Sequence, residues 1–494
     1  MYVTIDEVCD KIRSQAVQGR LSQALKSIID FVIFVYTQDR SLARVFTSRE
    51  LDLLCQELGA SQALKTPSRY DQERTVYLVT QLSKSGGHSR VLRDLIAADP
   101  GSRNTILITN VLSYSEPDEL RFLFPDDSVE IEVAPNIEYA ERMRWIQERL
   151  YRLCPDRTYI LQHHFDAIST AAIQPNLTNK LIYYHHGDHY LTLGAHVPHA
   201  IHVDLHSKGF FNCREREGID GNVFWPLTVP DIPPRSERRF LGSGRLTTCS
   251  VGGPEKFDNS HLIGAIPYSV RYSEILPVIL ENTNGTHLHL GEISGRLRRE
   301  ILRNLRKAGI SSERFIHYPW VSSISGTLVD ENIDIYIGSF PRGGGRTVLE
   351  AMSCGMPLLV HSNYRSRFFS DADDVYPEAM TWRLPDELAE HLRNATPESL
   401  EAHAKKSREF YLMNHRPDLL RHAIGRTLSG GEAELPPRRV YRPNELQEFL
   451  DEGRRPAASE MIYRRLPSPL LMPLRNVRRA LRAAARGLGP KFNR

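Results

Sequence analysis

Hydrophobic positions change their period along the chain, and each change marks a different kind of structure. Over residues 1–70, Val8, Ile12, Leu21, Leu25, Ile28, Leu51, Leu54 and Leu58 recur at helical spacing with no alternation of period two. This predicts a helical N-terminal extension that caps whatever follows. At Thr75 the pattern becomes short apolar runs rich in β-branched residues: Thr75–Thr80, Thr105–Thr109, Val129–Val133, Thr158–Leu161, Lys180–Tyr184 and Ile201–Leu205. Helix-length amphipathic stretches separate several of them, notably 138–152. Strands alternating with helices predict a parallel sheet covered on both faces.

Four prolines, Pro226, Pro230, Pro233 and Pro234, then fall within nine residues. Proline locks φ and removes a donor, so this stretch reads as an extended linker. Beyond it the alternation restarts with strands at 247–251, 286–290, 314–317, 333–337 and 357–361, and helices at 270–280, 296–307 and 347–354. The expected organisation is α/β: a helical extension (1–70), a Rossmann-like domain (71–234), a second Rossmann-like domain (235–428), and a connector with a tail (429–494). Two doubly wound domains joined by a linker place a ligand cleft between the carboxyl ends of their sheets.

The string Phe340-Pro-Arg-Gly-Gly-Gly-Arg-Thr-Val-Leu-Glu-Ala-Met-Ser-Cys-Gly-Met-Pro-Leu-Leu-Val360 follows a predicted strand and opens a helix. Gly343, Gly344 and Gly345 let backbone approach a ligand closely. The unpaired N–H groups of the following helix turn form an anion cradle suited to a pyrophosphate. Thr347 lies at the helix start, and Glu350, one turn on, is placed to accept ribose hydroxyls. Arg342 and Arg346 flank the glycines. They read either as added charge at the phosphates or as solvated arginines.

This string resembles the donor-nucleotide motif of GT-B glycosyltransferases, G-G-x-T-x-x-E-A-x-x-x-G-x-P. Gly309–His317 and Asp334–Gly338 are similar in order and spacing to the catalytic region of O-GlcNAc transferases and the bacterial protein N-glucosyltransferases. Ser250-Val-Gly-Gly-Pro-Glu-Lys-Phe257 looks like the segment where those enzymes carry a phosphate-binding lysine, here Lys256. The resemblance covers about 247–362; the N-terminal half matches only in general architecture. It implies a GT-B transferase acting on a nucleotide sugar, most simply a UDP-sugar, with the sugar as substrate and no cofactor. The large retaining family carries a second glutamate where this chain has Arg342, which implies an inverting enzyme. The implied acceptor is a hydroxyl or amide, on a protein or on a surface polysaccharide or lipid-linked glycan.

The N-terminal half offers a base. Gly86 and Gly87 form the first strand-to-helix turn, and His88 opens the helix at the edge of the expected cleft. Neutral imidazole there can take the acceptor proton. Nine of the nineteen histidines fall between 163 and 206. Within Tyr184-His-His-Gly-Asp-His189, the residues His185, His186 and His189 are expected to line the cleft, and Asp188 is a rival base. His185 and His189 have a helical metal spacing, but Gly187 and the strand context spoil it and no third ligand stands out, so no metal is expected. Asp371-Ala-Asp-Asp374 reads as a charged loop.

Charge adds one distinction. The total is +3, yet residues 464–494 hold nine basic residues and no acidic one, which leaves the preceding 463 residues at −6. Leu474, Val477, Leu481 and Leu488 share one side of a predicted tail helix with arginines on the rest. This suits an anionic membrane surface, a protein partner, or solubility alone. One aromatic, Phe492, gives no stacking platform, so nucleic acid is not an expected partner. Scattered cysteines and a mixed, acidic N-terminus predict a cytosolic chain, peripheral at the inner face of a membrane if the tail binds lipid. Two rivals share the fold: a nucleotide-sugar 2-epimerase, whose acidic catalytic set is missing from the sequence, and a non-catalytic scaffold that binds a partner transferase or membrane.

Overall fold

In a computed structural model the described residues are 4–37, 41, 43–61, 66–82, 87–99, 102–112, 124, 129–235, 238–257, 270–363 and 366–438. Gly86 and the basic tail 464–494 lie outside them. Both sheets belong to one compact unit, Met1–Asn259 with Ser269–Val440.

Helices α1 (Ile5–Val17), α2 (Leu21–Tyr36) and α3 (Arg49–Ala60) make up the N-terminal region. Thr4 and Ser48 side chains cap α1 and α3, satisfying amides that the helix itself leaves open. The buried faces of these helices, with Ile12, Leu25, Ile28, Leu51, Leu54 and Leu58, join one core with one face of the first sheet. Asp52 on α3 is fully buried and accepts from the amides of Gly194 (2.6 Å) and His196 (2.8 Å). The cap thereby fixes the loop between the fifth and sixth strands.

The first sheet contains β1 (Asp71–Val79), β2 (Arg103–Ile108), β3 (Val129–Val133), β4 (Pro155–Leu161), β5 (Lys180–His185), β6 (Ala200–Asp204) and β7 (Val223–Phe224). Its order is β3-β2-β1-β4-β5-β6-β7, and every pairing is parallel. Helices α4 (Gly87–Ala98), α5 (Tyr139–Leu153), α6 (Ala167–Ala172) and α7 (Ser207–Glu215) connect these strands.

The second sheet contains β8 (Leu246–Val251), β9 (Asn284–Leu290), β10 (Phe315–Tyr318), β11 (Ile335–Ile337), β12 (Leu358–His361) and β13 (Met380–Trp382). It repeats the winding as β10-β9-β8-β11-β12-β13, again parallel throughout. Its helices are α8 (Pro254–Phe257), α9 (Tyr272–Glu281), α10 (Gly295–Lys307), α11 (Ile324–Asp330), α12 (Arg346–Ser353) and α13 (Pro385–Arg393). In both sheets the order reverses beside the first strand, which puts a switch point at the carboxyl ends of β1 and β8. The predicted strands are all present; among the described residues the sequence reading omitted β7 and β13, of two and three residues.

Helices α14 (Pro397–Asn414) and α15 (Pro417–Leu428) return to the first sheet. The Tyr411 hydroxyl donates to the Val229 carbonyl (2.9 Å), Trp225 Nε1 to Thr427 Oγ1 (2.9 Å), and Lys180 Nζ to the Leu428 carbonyl (2.8 Å). Val229 itself donates to the His415 carbonyl (3.2 Å), so the proline-rich segment is held as extended chain beneath these helices.

Among the described residues the second domain buries His287, His289 and His361. His287 bridges Thr248 Oγ1 and the Tyr272 hydroxyl, each at 2.8 Å, and His289 Nδ1 meets the same hydroxyl at 3.0 Å. Burial pushes all three imidazoles down to about 3. They are neutral in the folded chain and titrate near 6.5 when it unfolds, so the unfolded state binds more protons between those values. Stability is therefore complete above pH 6.5 and declines as the pH falls towards 3. The expected slope is about 1.4 kcal/mol per pH unit for each histidine. Asp52, which burial pushes up to about 7, acts in the opposite sense. Urea unfolding from pH 7 to pH 4.5 should show a steep net loss, and a flat profile would contradict the neutral core histidines.

Candidate functional site

The glycine loop is held by a carboxylate of the protein itself. Asp371 accepts from the amides of Gly344 and Gly345, both at 2.9 Å. A β-carbon on Gly343 would lie 2.2 Å from Asp371 Oδ1, and one on Gly344 would lie 2.2 Å from Thr347 Oγ1. The glycines are thus required for close approach within the chain. Two of the amides expected to cradle phosphate already have a partner. Asp371 also corrects the reading of 371–374 as a charged loop, because Asp371, Asp373 and Asp374 are all buried.

Asp374 meets two basic side chains from the first domain. Its Oδ1 lies 2.8 Å from His206 Nδ1, and its Oδ2 accepts from Lys208 Nζ at 3.1 Å. Lys208 also donates to the Ser370 carbonyl (3.0 Å). Burial pushes His206 down, but Asp374 overrides it and leaves the imidazole above its usual value; Lys208 is likewise held charged, chiefly by Asp374. The carboxyl of Asp374 lies well below its usual range, burial being outweighed by His206 and Lys208.

Lys256, on the one-turn α8, donates from Nζ to the Gly343 carbonyl at 2.6 Å. Burial lowers its pKa, partly offset by Asp371. Arg342 stands over the rings of Tyr190 (5.2 Å) and Phe369 (5.4 Å), bringing the glycine loop against the histidine-rich segment. Thr347 Oγ1 accepts from the Tyr336 hydroxyl (2.9 Å).

Arg346 is neither a solvated arginine nor a free phosphate ligand. It is buried, donates to the Thr228 carbonyl (2.7 Å) and pairs with Asp94 of α4. Glu350 is also drawn into the seam, with Oε1 2.9 Å from Arg90 Nη1 of α4 and 3.6 Å from Arg346 Nε. Its second oxygen, Oε2, is buried without a hydrogen-bond partner among the described residues. That leaves one acceptor available at the position where the sequence placed ribose recognition.

In the first domain His88 stacks on His186, with centroids 4.3 Å apart, and faces His163 edge-on at 6.5 Å. It hydrogen-bonds the Leu161 backbone, and its Nε2 is buried with no partner among the described residues. A ring tied at one nitrogen with the other bare has a general base's arrangement. Burial and His163 push its pKa down to about 4, so it is neutral at pH 7. Gly87, next to it, is exposed at the start of α4.

Asp188 lies over α7, its Oδ2 3.2 Å from where a β-carbon on Gly209 would sit. Oδ1 meets His189 Nδ1 at 3.1 Å. Burial alone would raise its pKa, but His189, His206 and Lys208 pull it down to about 2. It is a fixed negative charge and a weak base. His189 is pushed down to about 4, mainly by burial. His185 departs from its expected place in the cleft: it is buried at the end of β5, beside Asp204 of β6.

The structure thus brings Lys256, Arg342, the three glycines, Asp188 and His189 together, and stacks His88 on His186 nearby. Sequence reasoning missed Asp371, Asp374, Lys208, Arg90 and Asp94. The one available signal was an Asp-Ala-Asp-Asp run soon after a buried strand.

Among solved structures, Anabaena HepE in complex with UDP is similar at TM-score 0.55 and 13% identity, over 72% of this chain and 100% of that one. A glycosyltransferase from Rickettsia africae gives TM-score 0.54 and 12% identity, over 73% and 99%. Thermobaculum terrenum O-GlcNAc transferase gives TM-score 0.47 and 13% identity, over 86% and 83%. No family model and no curated protein matches the sequence. The fold is GT-B, in agreement with the sequence reading. Among the described residues no helix is long and apolar enough to cross a membrane.

Replacing Asp374 with asparagine leaves Lys208 buried without its main partner. The expected cost is about 3–5 kcal/mol in urea unfolding at pH 7. The double substitution Asp374→Asn with Lys208→Met should recover part of that loss; equal destabilisation by both would separate the two residues energetically.

Proposed function

We propose that this chain is a glycosyltransferase that moves a sugar from a nucleotide sugar, most simply a UDP-sugar, to a hydroxyl or amide acceptor, with inversion and without a metal in the transfer step. The observation that carries the proposal is the joint placement of Lys256 on the glycine loop and the unpartnered Oε2 of Glu350 on the helix that follows. A cation from α8 that reaches the glycine loop, and a lone carboxylate oxygen on the helix that this loop opens, match a diphosphate and a ribose diol. HepE, at TM-score 0.51 in a second structure, was crystallised with UDP-glucose, which supports the choice of uridine donor.

In this reading Lys256 and Arg342 offset the charge that develops on the leaving diphosphate. Glu350 Oε2 accepts from the ribose. His88 Nε2 takes the acceptor proton as its oxygen or nitrogen attacks the anomeric carbon from the face opposite the diphosphate. The low basicity of His88 in the free protein suits a site that becomes a better base once the donor's negative charge is beside it. Asp188, already ionised and paired, orients His189. The acceptor is a protein side chain or a surface glycan on a lipid carrier. The basic tail, outside the described residues, supports the second through contact with an anionic membrane.

A panel of nucleotide sugars tested for protection against thermal unfolding should single out uridine donors. Lys256→Ala and Glu350→Gln should each weaken that protection. His88→Gln should keep it while lowering the transfer rate by about 10²–10⁴-fold. Protection by no nucleotide sugar would sink the donor assignment and favour the non-catalytic scaffold, to which Asp371's occupation of the glycine amides also points.

A further inference from the structure

Four metal-binding side chains converge at the carboxyl ends of β5 and β6, behind the candidate site. His202 and Asp204 are two residues apart on β6 and so share a face. Parallel pairing sets His185 of β5 directly beside Asp204. Cys213 comes down from α7 onto the same face, and all four are buried. His185 Nδ1 lies 2.9 Å from Asp204 Oδ1, and His202 Nε2 lies 3.4 Å from it. Cys213 Sγ is 3.5 Å from His185 Nδ1, 3.7 Å from His202 Nε2 and 3.5 Å from Asp204 Oδ1. Bond lengths of about 2.0–2.3 Å around a tetrahedral zinc give ligand–ligand edges of about 3.3–3.6 Å. Four of the five separations lie within 0.1 Å of that range and the fifth is shorter.

The hydrogen bonds around the cluster point the same way. His202 Nδ1 contacts the Ala195 carbonyl at 3.1 Å. A carbonyl only accepts, so this nitrogen carries a proton, and Nε2 is the ring atom that faces the carboxylate and the sulfur. In a dry interior Nε2 and the carboxylate are held together by a cation between them, a proton or a metal ion. Asp204's other oxygen, Oδ2, accepts from Asn222 Nδ2 at 2.6 Å. Asn222 is fixed in turn by the Phe210 carbonyl (3.1 Å) and by Arg214 Nε (2.7 Å). Metal sites hold their ligands with outer contacts of this kind.

We propose that His185, His202, Asp204 and Cys213 bind one zinc ion in a closed tetrahedral site. Binding forms a zinc–sulfur bond and sends the Cys213 thiol proton to solvent. The thiolate and the carboxylate then balance the +2 charge, so the buried site is neutral. With four protein ligands there is no open position, and the ion is structural. It clamps the ends of β5 and β6, from which His186 and Asp188 on one side and His206 and Lys208 on the other continue into the cleft. The fold supplies the ligands that the His185/His189 spacing lacked, from β6 and α7. The proposal is independent of the donor and of the transfer reaction.

Full-length protein purified without chelator should contain one zinc per chain by plasma emission analysis. Cys213→Ser and His202→Gln should lose it, His199→Gln should keep it, and Asn222→Ala should weaken zinc affinity by about 10–100-fold. Replacement by cobalt should give a thiolate-to-metal charge-transfer band in the wild-type protein and none in Cys213→Ser. Should the variants fail to fold, stripping wild-type protein with a chelator should lower its melting temperature, and zinc should restore it. Folded wild-type protein that takes up no zinc, or zinc retained at full stoichiometry in both Cys213→Ser and Asp204→Asn, would overturn the proposal.

Discussion

The short segment after β12 carries the two carboxylates on which the cleft depends. Asp371 shapes the glycine loop, and Asp374 draws His206 and Lys208 across from the other sheet. Neither acid could be buried alone, since an unpaired carboxylate in a dry interior costs several kcal/mol. Each is tolerated because backbone amides or cations meet it. The loop that would face a donor and the seam between the domains therefore share one support. A second layer reinforces the seam: Arg90 and Asp94 of α4 reach Glu350 and Arg346 of α12. The donor-motif helix is held from the opposite domain by the same residues that give it charge.

The histidine-rich wall follows a different logic. His88, His163, His164, His186 and His189 are all held below their usual pKa, and burial is the leading cause for each. They form a chain of ring contacts, His186–His88–His163–His164, continued through Tyr190 to His189. Neutral imidazoles supply acceptors and stacking surface without adding positive charge. The permanent charge comes from Lys208, Lys256 and Arg342 beside them. His206 is the exception in this wall: burial lowers it, but Asp374, with Asp188 adding to it, raises it above its usual value, whereas Asp188 alone does not offset the burial of His189.

Alternation of strand and helix was legible in the sequence because each strand is long enough to show its apolar run. Two-residue β7 carries too few positions for any period to emerge, and three-residue β13, Met-Thr-Trp, lacks the uniform β-branched and aromatic run that marked the equally short β11, Ile-Tyr-Ile. The glycine string was legible as a turn between β11 and α12, but its partner was not. Asp371 lies 27 residues from Gly344, and an acid reads as solvated until the fold shows what buries it. Arg346 illustrates the same limit, since its partner Asp94 lies 252 residues away. His185 was assigned to the wrong neighbours because chain proximity to His186 and His189 was visible and strand register was not. The period-two pair His202 and Asp204 was the clue to its true setting.

The crossing of α14 and α15 back to the first sheet has a consequence for how the chain is made. Trp225 and Lys180 are hydrogen-bonded to Thr427 and Leu428. The ribosome must add about 200 further residues after Trp225 before those partners exist, roughly 10–40 s at common elongation rates. Throughout that interval the first domain has its own strands but lacks the helices that cover this side. Vectorial synthesis therefore leaves the earlier-made domain waiting on helices made much later, and quality control during translation meets this domain with one flank bare.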